Sequence, residues 1–284
     1  RFLGRGGNGT AFLVNCTSGR NRGLQFVLKV FHKIQDEVRR EAFLDEVSLL
    51  RELSHPAIID VYDEGEFSVE DRVYPFAVVE YVPDTVREGV VANSIGRIQA
   101  LRIGLNCLSA LSCLHGQEPP LVHRDIKPSN ILVSESSAKL ADFGLVTTYS
   151  EENDDVATED DSDVTDTQWP GMPYRYRTPD LIAHAEDHDI PVQPESDIYQ
   201  FGTVLYELMT GYNPQQSPED VLEEIDLDIR YVPGARGESL RGIIEAMTQE
   251  DPDSRPTAQQ CLERLDDIHT DVCERLREVT GEEM

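Results

Sequence analysis

Apolar and polar positions change rhythm along the chain, and each change marks an element. Residues 10–16 and 24–31 are short runs rich in Phe, Val and Leu, divided by the turn-rich stretch from Ser18 to Gly23. They read as two β-strands. Residues 36–53 place Val38, Phe43, Val47, Leu50 and Leu53 on a rough helical stripe. That helix ends at His55-Pro56, because proline disfavours helical geometry in the residue before it. Two further strands are predicted near 58–63 and 73–79, so the opening part of the chain is strand-rich with one helix.

From residue 94 the text turns helical. Ile98, Leu101, Leu105, Leu108, Leu111 and Leu114 recur at helical spacing, which predicts a long buried helix. Short strands follow at 131–134 and 138–141. Residues 195–210 form a strongly apolar helix that Gly211 closes, and shorter helices follow near 218–226 and 237–248. The last helix opens with Thr257, with Gln260 placed to complete a capping box. Residues 150–167 differ from all of this, with nine acidic side chains and almost nothing apolar. Such a segment cannot bury enough surface to hold a fixed shape alone, and it reads as a mobile loop within one architecture. No repeat is visible. An α+β chain is expected, a small sheet-rich part before a larger helical one.

Charge narrows the function classes. Among 284 residues, 54 are acidic and 25 basic, a net charge of −29, with an isoelectric point near 4.4. That balance argues against binding nucleic acid, whose phosphates need clustered cations, and against contact with an anionic membrane. No apolar run is long enough to span a bilayer, and no basic-then-apolar leader opens the chain, so neither a span nor a signal peptide is expected. The chain begins at Arg1 and reads as a piece of a longer one. Cys16, Cys107, Cys113, Cys261 and Cys273 are odd in number without a CxxC spacing. Four lie in helical text and read as small buried side chains in a reducing, cytoplasmic setting. Lys29, Lys33, Lys127 and Lys139 are the only lysines. Heavy acid loading with so little lysine fits adaptation to high salt, as in a halophilic prokaryote, and equally an arginine-biased base composition.

Three groups of residues carry chemistry. Gly4, Gly6 and Gly9, spaced G-x-G-x-x-G after a presumed strand end, can bring backbone amides close to an anion. A dinucleotide fold would put a helix directly after the third glycine; the strand text at Thr10 favours a two-strand flap over phosphates. Lys29 sits in the apolar run Phe26-Val27-Leu28-Lys29. An ammonium there is costly unless it snorkels at an edge or meets an anion, and Glu46 on the following helix can supply one. The third group is His123-Arg124-Asp125-Ile126-Lys127-Pro128-Ser129-Asn130, followed by Asp142-Phe143-Gly144. Two carboxylates, a carboxamide and a lysine suit a divalent cation with a triphosphate, since Mg²⁺ prefers hard oxygen ligands and bridges to phosphates.

In these residues and their order the chain resembles the eukaryotic-type (Hanks-type) serine/threonine protein kinase catalytic domain. The resemblance implies a bilobal fold, with an N-terminal lobe over 1–82, a C-terminal lobe over 83–284 and an activation segment over 142–180. It implies ATP-dependent, Mg²⁺-assisted transfer to serine and threonine hydroxyls of protein substrates. Gly4, Gly6 and Gly9 would cover the phosphates, and Lys29, paired with Glu46, would hold two of them. Asp125 would take the substrate's proton, Lys127 would steady the transferred group, and Asn130 and Asp142 would hold Mg²⁺. Ala11, Val27, Val79, Glu80, Val82 and Leu132 would surround adenine, with Val79 as gatekeeper and Glu80 to Val82 as hinge. Asp197 resembles the aspartate that braces the catalytic loop, and Arg255 the arginine that pairs with the acid ending the activation segment. Arg124 before Asp125 implies control by an acidic or phosphorylated partner, and self-association would allow phosphorylation in trans.

Departures from the family pattern are as informative. Ala11 and Val27 exchange the usual valine and alanine, nearly conserving volume. Thr178-Pro179-Asp180 replaces Ala-Pro-Glu, so the acid has less reach toward Arg255. Met172 and Pro173 stand where a threonine usually bridges Asp125 and Lys127. Ser150, Thr158, Ser162, Thr165 and Thr167 are candidate phosphosites, with Thr165 or Thr167 placed to pair with Arg124; fixed carboxylates could serve instead. His184 and His188 read as part of a solvated polar insertion, not a zinc site. A catalytically silent ATP-binding scaffold and a small-molecule kinase are the alternative classes. Retention of Lys29, Glu46, Asp125, Asn130 and Asp142 speaks against the first, and the Asp197 helix and activation-segment ending against the second.

Overall fold

A computed structural model describes residues 1–5, 9–135, 137–143, 146–148, 174–187, 190–215 and 237–280. The expected acidic loop at 150–167, the helix near 218–226, and Gly6, Gly144, Met172, Pro173 and His188 lie outside them. The described residues form two compact units, one of Arg1–Pro83 and one beginning at Asp84.

The first unit is an antiparallel sheet with one helix. Its elements are β1 (Phe2–Arg5), β2 (Gly9–Asn15), β3 (Gln25–Phe31), α1 (Glu37–Glu52), β4 (Val61–Val69) and β5 (Arg72–Glu80). The five strands lie in the order β1-β2-β3-β5-β4. Register pairs Ala11 with Lys29 and Lys29 with Ala77; in the next row Leu13 pairs with Val27 and Val27 with Val79. Because strand side chains alternate, these residues share one face. The helix covers that face, with Phe43 and Val47 packing against Phe31 and Ala77. Asp36 caps α1 by accepting from the Arg39 amide. The fourth strand runs later than the predicted 58–63. Ile58 and Ile59 are buried anchors ahead of it, and the strand continues through largely exposed text. An edge strand needs backbone pairing with its single neighbour, which apolar patterning does not reveal.

The second unit is mainly helical. It contains β6 (Asp84–Thr85), α2 (Val86–Val91), α3 (Arg97–His115), β7 (Leu121–Val122), β8 (Ile131–Val133), β9 (Ala138–Leu140), β10 (Thr147–Thr148), α4 (Pro179–Glu186), α5 (Glu195–Thr210), α6 (Gly237–Met247) and α7 (Ala258–Thr280). The two-residue strands escape apolar patterning, and so does α2, which starts from a Thr85–Glu88 capping box. The box predicted at Thr257 forms: Gln260 N–H donates to the Thr257 hydroxyl and Thr257 N–H to the Gln260 side chain. Gly211 closes α5 at φ 75°, a conformation that suits glycine. Leu101, Leu108, Leu111 and Leu114 of α3 are buried, and α3 packs on α7 and α5.

Two readings need correction. His184 is no part of a solvated insertion: it is 4 % exposed, lies on α4, and its Nδ1 meets the Ile190 carbonyl. The apolar face of α4 draws that ring inward, with Leu181 buried beside Val122 and Val192. Only Cys107 and Cys261 of the four helical cysteines are fully buried; Cys113 and Cys273 are half-buried, and all five are free thiols. Burial pushes the Cys261 thiol up to about 12, which keeps it protonated and unreactive. Among the described residues, no helix is long and apolar enough to cross a membrane.

Two glycines test the helical packing. A Cβ on Gly202 would lie 2.9 Å from both Met247 Cβ and Thr248 Cγ2, whereas one on Gly242 meets nothing within 4 Å. Gly202→Ala should cost about 1–3 kcal/mol by overpacking. Gly242→Ala, inside α6, should stabilise by up to about 1 kcal/mol. Urea unfolding midpoints of the two variants check this, and equal midpoints would contradict the α5–α6 packing.

Candidate active site

The first unit holds a fixed cation. Lys29 Nζ lies 2.9 Å from Glu46 Oε1, with Glu46 8 % exposed and Lys29 26 %. The lysine sits mid-strand on β3 and the glutamate on the face of α1 turned to the sheet, so fold geometry makes the pair. Ala11, Val27 and Val79 lie on the same sheet face as Lys29. The exchanged Ala11 and Val27 are diagonal neighbours there, so the small residue of one strand sits beside the larger one of the next. Glu80 ends β5 opposite Phe26, and it and Val82 are half-buried.

The glycines do not follow a strand end as expected. Gly4 lies inside β1 opposite Ala11, next to a register shift between Phe2 and Gly4. Gly9 opens β2, and a Cβ there would stand 3.1 Å from the Val30 carbonyl, a contact that favours glycine.

The second unit gathers Asp125, Lys127 and Asn130 on one short segment. It leaves β7 at Val122, passes through His123 to Lys127 without regular structure, and makes a 3-10 turn at Pro128–Asn130 before β8. Lys127 Nζ donates to Asp125 Oδ2 at 2.7 Å. Asn130 Nδ2 donates to the same oxygen at 2.7 Å and to the Asp125 carbonyl at 3.0 Å. The Asn130 amide oxygen accepts from the Ser129 hydroxyl at 3.4 Å. Burial raises the Asp125 carboxyl above the usual carboxylate range; Lys127 opposes this and the negative charge of Asp142 adds to it. Asp142 is exposed and adopts φ 64°, a left-handed backbone that aspartate tolerates better than most residues. Leu132 is half-buried on β8.

Neighbouring helices hold the segment. Asp197, at the start of α5 and fully buried, accepts from the His123 amide at 2.8 Å and the Arg124 amide at 2.7 Å. The His115 ring meets its Oδ2 at 2.9 Å. Gln200 bonds the Ile126 amide, the Arg124 carbonyl and the Tyr176 carbonyl. Arg124 itself takes φ 68°, strained for a residue with a Cβ. The Phe143 ring is buried against His123, centroids 4.7 Å apart. Farther on, Arg255 Nη1 lies 2.8 Å from Asp180 Oδ1, so the shorter acid does reach. The Ser196 hydroxyl bonds its other oxygen, and Arg255 also donates to the Gln249, Glu195 and Glu250 carbonyls.

Comparison with known proteins gives the family. The sequence matches the family described as "Protein kinase domain" over residues 1–265. The chain belongs to the protein kinase domain family. This kinase domain is 28 % identical over 267 residues to the serine/threonine-protein kinase PAK mbt of Drosophila melanogaster, covering 92 % of this chain and 38 % of that protein. It is 27 % identical over 280 residues to a putative mitogen-activated protein kinase kinase kinase 7-like protein of the same fly, covering 92 % and 63 %. With the serine/threonine-protein kinase PknB of Mycobacterium tuberculosis (strain ATCC 25618 / H37Rv) it shares 29 % over 200 residues, covering 69 % and 30 %. The chain therefore spans 30 % to 63 % of the length of these relatives.

Within the kinase domain, Lys29 and Glu46 come together in the first unit, and Asp125, Lys127 and Asn130 in the second, with Asp142 close enough to act on Asp125 electrostatically. Sequence reasoning assigned no role to Gln200, Ser196 or His115. The available signal was polarity: Ser196 and Gln200 interrupt an otherwise apolar helix, and such groups stay buried only with partners. Asp197→Ala would leave two buried amides without acceptors, at a cost of about 3–5 kcal/mol. Chemical denaturation should register that loss; a variant as stable as the parent would show that Asp197 does not anchor the segment.

Proposed function

We propose that this kinase domain transfers the γ-phosphoryl group of ATP to serine or threonine hydroxyls of protein substrates. The observation that carries the reading is Asp125, buried and held by Lys127 and Asn130, beside a family match over most of the chain. The substrate hydroxyl oxygen attacks the γ-phosphorus, the bond to the β,γ-bridging oxygen breaks, ADP leaves, and the hydroxyl proton passes to Asp125. Lys127, bonded to Asp125, offsets negative charge at the reacting group. Lys29, steadied by Glu46, binds the other phosphates, while the β1–β2 glycines cover them. Ala11, Val27, Val79, Glu80, Val82 and Leu132 form the adenine site in this proposal.

Asn130 and Asp142 suit Mg²⁺ through an amide oxygen held only by the long Ser129 bond among the described residues and an exposed carboxylate. Among the described residues, no group of three or more His, Cys, Asp or Glu could hold a metal. A site completed by phosphate oxygens fits that count, because Mg²⁺ commonly takes one or two protein oxygens plus those of the nucleotide. Bound there, Mg²⁺ would supply charge neutralisation on the triphosphate. Regulation through the acidic activation segment, phosphorylation in trans by a second copy and a cytoplasmic setting belong to the same proposal. Arg124 ahead of Asp125 and the five free thiols support them.

Labelled-ATP transfer to the chain itself and to a generic protein substrate, at low and multimolar salt, tests the reading. Asp125→Asn should abolish transfer and spare nucleotide binding; undiminished transfer would remove Asp125 from its role. The acid limb of kcat/KM should lie above about pH 4, where an ordinary aspartate titrates, because Asp125 must lose its proton to act. The stability sign runs opposite. With its folded pKa raised, the group holds a proton that the unfolded chain has lost, so its contribution fades as pH rises through that window. Val27→Ala should open a void and weaken ATP binding a few-fold, and titration calorimetry giving the parental affinity would refute its place beside adenine.

A further inference from the structure

We infer that Gln200 is a positioning residue for the phosphoryl-transfer step, fixing the direction of Asp125 by clamping the peptide groups on both sides of it. The inference rests on the kinase reading above. Gln200 projects from α5, three residues beyond Asp197, and is fully buried. Its Oε1 accepts from the Ile126 amide at 2.9 Å. Its Nε2 donates to the Arg124 carbonyl at 2.9 Å and to the Tyr176 carbonyl at 3.0 Å.

The Arg124 carbonyl belongs to the peptide plane entering Asp125, and the Ile126 amide to the plane leaving it. Two planes held by one rigid carboxamide fix φ and ψ of Asp125, and with them the direction of its Cβ. The amide orientation is determined by its partners: a flipped group would set NH₂ against N–H and oxygen against two carbonyls. Gln200 and Ile126 are buried and Arg124 and Tyr176 half-buried, so losing the Ile126 bond strands a buried amide and losing the others leaves carbonyls with little access to water.

The third bond extends the clamp. Tyr176 lies ahead of α4, in the segment the kinase reading gives to the substrate side, and its hydroxyl donates to Glu207 at 2.7 Å. Gln200 therefore sets that segment and the Asp125 loop in one register. Glutamate could keep the acceptor but not the two donors. Asparagine keeps both kinds of group one methylene short of their partners, and methionine fills the volume with neither.

The test is steady-state transfer to a protein substrate by the kinase domain carrying Gln200→Met or Gln200→Asn, with ATP affinity measured on the same samples as a check of folding. Misplacing a catalytic group by about 1 Å can cost a hundredfold in rate. A drop in kcat of at least about tenfold is therefore expected in both variants, with ATP affinity within about twofold of the parent. Should Gln200→Met fail to fold, the asparagine variant carries the test. Parental kcat in either folded variant would overturn the inference and reduce Gln200 to a packing residue. The kinase reading fails differently: the parent chain itself transfers nothing, or Asp125→Asn transfers undiminished.

Discussion

A largely buried segment without regular structure must still pair its backbone groups, and the stretch from His123 to Lys127 meets that demand largely through side chains. Neither a helix ladder nor a sheet ladder serves it there. Asp197 takes two amides, Gln200 an amide and a carbonyl, and Asn130 the Asp125 carbonyl. Unpaired, each group would carry a desolvation penalty of about 1–3 kcal/mol. Paired, they hold the backbone at Arg124 in a left-handed conformation it would not otherwise choose. The orientation of Asp125 follows from this constraint, and the placement of Lys127 and Asn130 around it follows from that orientation.

Electrostatics sharpens the arrangement. A chain of net charge −29 is a poor environment for a polyanionic nucleotide unless cations are fixed locally. Lys29 and Lys127 are two of the only four lysines, and each is tied to one carboxylate. Glu46 and Asp125 keep them in place. Burial and Asp142 raise the affinity of Asp125 for a proton, a property suited to the proton-accepting role proposed for it.

Much of the fold was legible because apolar spacing reports helices and central strands directly. The α5 helix and its Gly211 stop, the stripe on α1 and the Thr257 box all followed from residue type and interval. What stayed hidden depends on pairing, not on pattern. The edge strand β4 is mostly exposed, and the two-residue strands are too short to carry a period. The site residues stood out because Asp, Asn and Lys cluster where apolar text would otherwise continue. The braces did not: Gln200 and Ser196 sit in helical text where a polar residue has many innocent explanations. His184 misled for the converse reason, since its polar neighbours concealed a side chain turned into the core. Asp180 reaches Arg255 despite its shorter stem, and Ser196 engages its other oxygen, a partnership no spacing rule encodes.

The most direct test of the anchored segment is amide hydrogen exchange at His123, Arg124 and Ile126 in the unmodified chain. Bonded to Asp197 and Gln200, these three amides should exchange as slowly as those of the α5 interior, opening only with cooperative unfolding. Exchange at the rate of an exposed loop would contradict the account, because Asp125 would then stand on backbone that nothing holds.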